Sequence, residues 1–81
     1  MTRVADPAPE GRPKAELDLA RAIIAARKRC GLTQAQLAQK METTQPVVAR
    51  LESGRASPSL RTLKSVAEAT SSRLVIIFEA R

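Results

Sequence analysis

Gln45 and Arg50 are the side chains in this sequence best equipped for chemistry, and that chemistry is recognition by hydrogen bonding rather than bond-making. A glutamine amide presents a donor beside an acceptor and an arginine guanidinium presents a fork of donors, so each can make two parallel bonds to a planar partner. The groups that reacting centres need are scarce. There is no histidine, and Cys30 is the single cysteine, which excludes disulfides within the chain, Cys/His zinc sites and histidine-based catalysis. Asp6, Asp18 and the scattered glutamates show no paired or metal-ligand spacing, and no glycine-rich phosphate cradle is present. No catalytic residue, metal or cofactor is expected.

The chain as a whole says what such groups are aimed at. Fourteen Lys and Arg against eight Asp and Glu in 81 residues give a formal charge of +6 and a pI near 10.8. A polyanionic partner follows, nucleic acid ahead of an anionic membrane surface. The length suits one domain, whose core is too small to enclose an active-site cavity as well as hold a fold. No apolar run approaches the roughly 20 residues that span a bilayer, and the amino terminus lacks the apolar block of a secretory signal. A cytoplasmic protein with no membrane partner is expected.

Residues 1–14 hold Pro7, Pro9, Gly11 and Pro13 among mixed charges. That composition buries too little apolar area to offset the entropy of ordering, and it reads as a disordered tail. From Ala15 a helical pattern begins, with Leu19, Ile23, Ala26 and Cys30 on one stripe and Gly31 as the stop. Cys30 is expected to be a small core residue. Thr33 with Gln36 three residues later forms a capping box for a second helix whose Leu37, Ala38 and Met41 face inward. Thr44 is placed to cap a third helix in which Pro46 is tolerated in the first turn, and Gly54 ends it. Ser59 opens a fourth helix with Leu60, Leu63, Val66 and Ala67 at helical spacing, broken by Thr70, Ser71 and Ser72. The β-branched and aromatic run Leu74-Val75-Ile76-Ile77-Phe78 reads as one strand.

The second and third helices, joined by the residues around Glu42 and Thr43, make a helix-turn-helix whose second member is narrow enough to enter a major groove. Gly31-Leu32-Thr33-Gln34 through Arg50-Leu51-Glu52-Ser53-Gly54 resembles, nearly residue for residue, the Xre/Cro repressor family that includes the lambdoid phage repressors. The resemblance runs from about Ile23 to Thr70. It implies a mainly α, four- to five-helix, lambda-repressor-like domain over residues 15–72 that binds double-stranded DNA. The family usually has glycine where this chain has Glu42, so that residue either accepts a left-handed backbone or turns differently.

Within that frame, Gln45, Pro46, Ala49 and Arg50 lie on the exposed face of the third helix, with Val48 and Leu51 turned to the core. Gln45 suits adenine N6 and N7, Arg50 suits guanine O6 and N7, and Ala49 or Pro46 suits a thymine methyl. Gln34 sits at the start of the second helix, where the resemblance implies a phosphate contact, and Thr44, Ser53 and Arg55 would add others. Arg27 and Glu52 match a pair that the phage repressors use as a structural ion pair.

The strand of residues 73–81 is apolar on both faces and the chain offers it no second strand. Either it packs within the molecule, or Leu74, Val75, Ile76, Ile77 and Phe78 pair with their copies across a two-fold axis. The second arrangement gives a homodimer that matches a palindromic operator. A helix-turn-helix domain followed by Ser-Ser-Arg-Leu-Val-Ile-Ile-Phe-Glu resembles antitoxins of the HigA and HipB type. That resemblance implies autorepression and neutralisation of a toxin protein encoded in the same operon; the alternative is a free-standing regulator without a toxin partner.

Overall fold

The computed structural model describes residues 14–80, in which four helices follow one another: α1 (Lys14–Arg29), α2 (Gln34–Lys40), α3 (Gln45–Leu51) and α4 (Leu60–Ala69). Helix α1 opens at Lys14, one residue earlier than the expected boundary, and the remainder of the expected disordered tail lies outside the described residues. Helices α2 and α3 have seven residues each. Helices that short are unstable alone, so the core must hold them. Leu37 and Val48 are fully buried, and Ile23, Ala38, Leu51 and Val66 join them so that every helix contributes. Leu19, Leu32, Met41, Leu63 and Ala69 close the rim. Each fully buried aliphatic side chain is worth about 1.5–3 kcal/mol.

Capping sets the lengths. Thr33 and Gln36 exchange bonds at the start of α2, with Gln36 N donating to Thr33 Oγ1 at 3.0 Å and Thr33 N donating to Gln36 Oε1 at 2.8 Å. Ser59 caps α4 by accepting from Thr62 N at 3.1 Å. Thr44 takes the extended backbone of an N-cap but makes no side-chain cap bond. Three helices then end in one hydrogen-bonding pattern. The amides of Leu32, Thr43 and Ser72 reach back to the carbonyls of Arg27, Ala38 and Ala67, and the residue before each amide, Gly31, Glu42 or Ser71, has positive φ. Glu42, at φ 60, therefore accepts the left-handed backbone.

The expected packing fails in two places. Cys30 is exposed rather than in the core, because α1 ends one residue before it; its thiol donates to Thr70 O at 3.1 Å. Residues 73–80 form no strand among the described residues. A strand exists only within a ladder, and the described chain supplies no partner for one. Leu74 is half-buried at the edge of an apolar groove lined by α1 and α4 residues including Leu19, Ile23, Leu63 and Val66. Beyond it Val75, Ile76, Ile77 and Phe78 are exposed, Phe78 at 95%.

Polar contacts bind α1 to the rest. Arg27 Nε donates to Glu52 Oε2 at 2.7 Å and its Nη2 to Glu52 Oε1 at 3.0 Å, while Nη1 donates to Leu32 O at 2.9 Å. The side chains are 13% and 5% exposed. Glu52's hydrogen bonds hold the Arg27 guanidinium above its ordinary pKa, with burial opposing. At the other end of α1, Ser57 Oγ donates to Glu16 Oε2, and Leu17 packs so closely on Gly54 that a Cβ there would lie 2.7 Å from Leu17 Cδ2.

Two positive-φ positions should respond with opposite sign in urea unfolding. Glu42→Gly removes a left-handed strain and is expected to stabilise by about 1 kcal/mol, whereas Gly54→Ala meets both φ +79 and Leu17 and should cost roughly 2 kcal/mol or more. Arg27→Met leaves the Glu52 carboxylate without its charged partner, and a loss of roughly 3 kcal/mol is expected by the same measurement.

Candidate nucleic-acid interface

Helix α3 is anchored from below and open above. Val48 and Leu51 are buried, while Gln45, Pro46, Val47, Ala49 and Arg50 are exposed along its outer side. Helix α2 packs directly against it, and the Glu42–Thr43 corner fixes the angle between them through the Thr43 N to Ala38 O bond of 2.9 Å. All four residues expected to face bases thus share one exposed surface. Val47, 42% exposed, joins them and was not among them. The signal for it is helical spacing: with Val48 and Leu51, three apart, on the buried stripe, Val47 falls beside that stripe rather than on it.

The residues expected at phosphates divide into two kinds. Thr44 and Arg55 are exposed at the two ends of α3. Ser53 is exposed too, but its hydroxyl donates to Arg50 O at 2.7 Å and accepts from Arg55 N at 3.1 Å, so it shapes the turn that carries Arg55. Gln34 is half-buried. Its Nε2 donates to Glu52 Oε1 at 3.0 Å, and its Oε1 accepts from Gln45 Nε2 at 3.4 Å. Spacing alone gave no sign of this link: the partner lies 18 residues away in sequence and carries a charge already answered by Arg27.

The surface is therefore a rigid helix face with an amide at its first position and a guanidinium in its last turn, flanked by a second cation on the following loop. It can donate and accept hydrogen bonds at the amide and donate a parallel pair at the guanidinium about one and a half turns away, with small apolar side chains between them. No group of His, Cys, Asp and Glu suited to a metal ion occurs among the described residues. No helix among them is long and apolar enough to cross a membrane.

Residues 23–76 match the helix-turn-helix family. Antitoxin HigA1 of Mycobacterium tuberculosis is 40% identical over 58 residues, 72% of this chain and 39% of its own length. The chain thus spans about two fifths of the curated relative it matches. The restriction-modification controller protein C.AhdI from Aeromonas hydrophila superposes with a TM-score of 0.71 at 22% identity, over 74% of this chain and 87% of its own. HipB in a complex with an O2 20mer superposes with a TM-score of 0.68 at 19% identity, over 99% of each chain. HipB also occurs in a HipA-HipB-O2-O3 complex of the same fold, with a TM-score of 0.68 at 18% identity, over 99% of this chain and 100% of that one. With its two short helices, the corner at Glu42 and the exposed face of α3, the chain belongs to the Xre-type helix-turn-helix family.

Proposed function

We propose that this chain is a sequence-specific DNA-binding repressor that acts as a dimer and serves as the antitoxin of a toxin–antitoxin pair. The observation that carries the DNA-binding part is the outer face of α3, where Gln45 and Arg50 stand exposed on a helix whose opposite side is locked into the core. Gln45 reads adenine, Arg50 reads guanine, and Pro46, Val47 and Ala49 meet thymine methyls. Thr44 and Arg55 hold the flanking phosphates, with Ser53 setting the turn beside Arg55. The formal charge of +6 draws the protein to the duplex before any base is read.

The antitoxin role rests on the 40% identity to antitoxin HigA1 and the homodimer on residues 74–78. Two copies of that apolar segment, exposed from Val75 on, paired antiparallel about a two-fold axis, give each other a ladder that the described residues do not supply. The pairing sets two α3 helices about one turn of DNA apart over a palindromic operator. Co-expression tests the antitoxin role directly: the chain is expected to co-purify with the product of the gene beside its own and to suppress that product's toxicity. Failure of both would leave a free-standing regulator.

On operator DNA, Gln45→Ala and Arg50→Ala should each weaken binding by about 1–3 kcal/mol and relax preference at one base pair, while Arg55→Ala lowers affinity evenly across sequences and reduces the salt slope by about one. Gel-shift titrations over duplexes varied at single positions separate these outcomes. Unchanged binding by Arg50→Ala would remove α3 from the major groove.

Ile76→Asp introduces a charge into the proposed shared ribbon, where burial without a partner costs several kcal/mol. Sedimentation should report monomers and operator affinity should fall further than for any base-contact variant, with helical content by circular dichroism retained. A dimer of full affinity would move the interface elsewhere.

A further inference from the structure

Leu74 lies where the chain leaves the domain and where an apolar groove opens. The groove runs between α1 and α4, its walls include Leu19, Ile23, Ala26, Leu63 and Val66, and Leu74 is half-buried at its edge. Its volume is about 120 Å³, close to the roughly 150 Å³ of an apolar cavity that takes up benzene. One aromatic ring would fill it. The chain has a single aromatic side chain, Phe78, and that residue is 95% exposed. Its own groove is out of reach. Residues 73–80 contain no helix or turn, and an extended chain advancing about 3.4 Å per residue carries Phe78 about 13 Å beyond Leu74.

A second copy brings a ring back to it. In an antiparallel pair about a two-fold axis, a residue and the one opposite it point to the same face, so the register shifts only in steps of two. Centring the axis on Ile76 sets Leu74 opposite the partner's Phe78, Val75 opposite the partner's Ile77, and Arg73 opposite the partner's Glu79. Each apolar residue of the run then faces an apolar one, and the flanking charges are of opposite sign. The neighbouring registers set Arg73 opposite the partner's Ile77, or Val75 opposite the partner's Glu79. We infer that the dimer is centred on Ile76 and that the partner's Phe78 enters the groove between α1 and α4, beside Leu74. The inference rests on the dimer proposed above. Opposite side chains have Cβ atoms about 5 Å apart, so a ring paired with Leu74 starts at the groove's edge and on Leu74's own face. Two such seats, one per copy, hold each domain at one angle to the ribbon, which the ribbon alone leaves free to swing.

The full chain tests register and seat separately. In a Cys30→Ser background, Val75→Cys, Ile76→Cys and Ile77→Cys are each treated with a mild oxidant. Only Ile76→Cys, which meets its own copy on the axis, is expected to cross-link readily; the other two leave their Cα atoms beyond the roughly 7 Å that a disulfide spans. Arg73→Glu and Glu79→Arg should each weaken the dimer by about three- to tenfold in sedimentation, and the two together should restore it. For the seat, copies with ¹³C-labelled methyl groups are mixed with unlabelled copies. Phe78 supplies the chain's only aromatic ring protons, and in an isotope-filtered NOE spectrum they should contact the Leu19 and Leu63 methyls of the labelled copy. Phe78→Ala should weaken the dimer by more than about tenfold. Cross-linking at Ile76 without those contacts overturns the seat and leaves the ribbon in place. Cross-linking at Val75 or Ile77 instead overturns the register. No cross-link at any of the three positions overturns the ribbon, and the inference with it.

Discussion

The Glu52 carboxylate is the point through which most of this small fold is connected. It is 5% exposed, and a charge so deeply placed persists only if its oxygens are answered. Arg27 answers from α1, Gln34 from α2, and Glu52 itself is the C-cap residue of α3. One group thereby fixes three helices. Arg27 also ties down the Leu32 carbonyl in the α1–α2 connection, so the entry to the helix-turn-helix and its exit are set by the same guanidinium. Geometry explains why arginine suits the task where lysine would not: a planar fork reaches two carboxylate oxygens and a carbonyl together.

Around that centre the apolar core is thin, and local features do an unusual share of the specification. Helices of seven residues supply at most two buried side chains each, Leu37 with Ala38 and Val48 with Leu51. Their ends must therefore be placed by capping. The repeated C-terminal pattern at Gly31, Glu42 and Ser71 stops three helices without a proline, and the two non-glycine residues among them carry a left-handed strain that buried neighbours outweigh. Ser71 is held by Thr70, whose hydroxyl donates to Val66 O at 2.8 Å, and by Arg29, which donates to Thr70 O and Ser72 Oγ. The strain at the end of α4 thus sits inside a hydrogen-bonded knot that also joins α1.

What could be read in advance depended on how local its cause was. The Thr33–Gln36 capping box, the stop at Gly31 and the inward stripe of Val48 and Leu51 need only neighbours three or four residues apart, and all were legible. Glu42 was legible as an alternative, because an αL site shows itself in sequence only when glycine fills it. Cys30 departs from its expected core position, since a stripe continues past a helix end in the sequence but not in space. The resemblance gives Gln34, at a helix start, only a phosphate contact. Its engagement by Glu52 depends on how α2 and α3 pack, which no spacing within either helix encodes. The segment from Leu74 to Phe78 has the composition of a strand and, from Val75 on, the exposure of a loop, and no second strand lies beside it among the described residues.

That last mismatch bears on the recognition surface. A single helix of α3's length offers few groups able to specify a base, and one base contact is in general worth about 1–3 kcal/mol. Such a module cannot by itself separate one site from the excess of competing duplex that any charged protein meets. Doubling the module multiplies the two site constants only if the copies are held at a fixed spacing, which requires a connection stiff enough to lose little entropy on binding. The apolar residues Val75 to Phe78 follow the hydrogen-bonded end of α4 after only Arg73 and Leu74. A ribbon formed there would adjoin the Thr70–Ser72 hydrogen bonds, which Arg29 links to α1, and α1 is in turn tied by Arg27 to Glu52 at the end of α3.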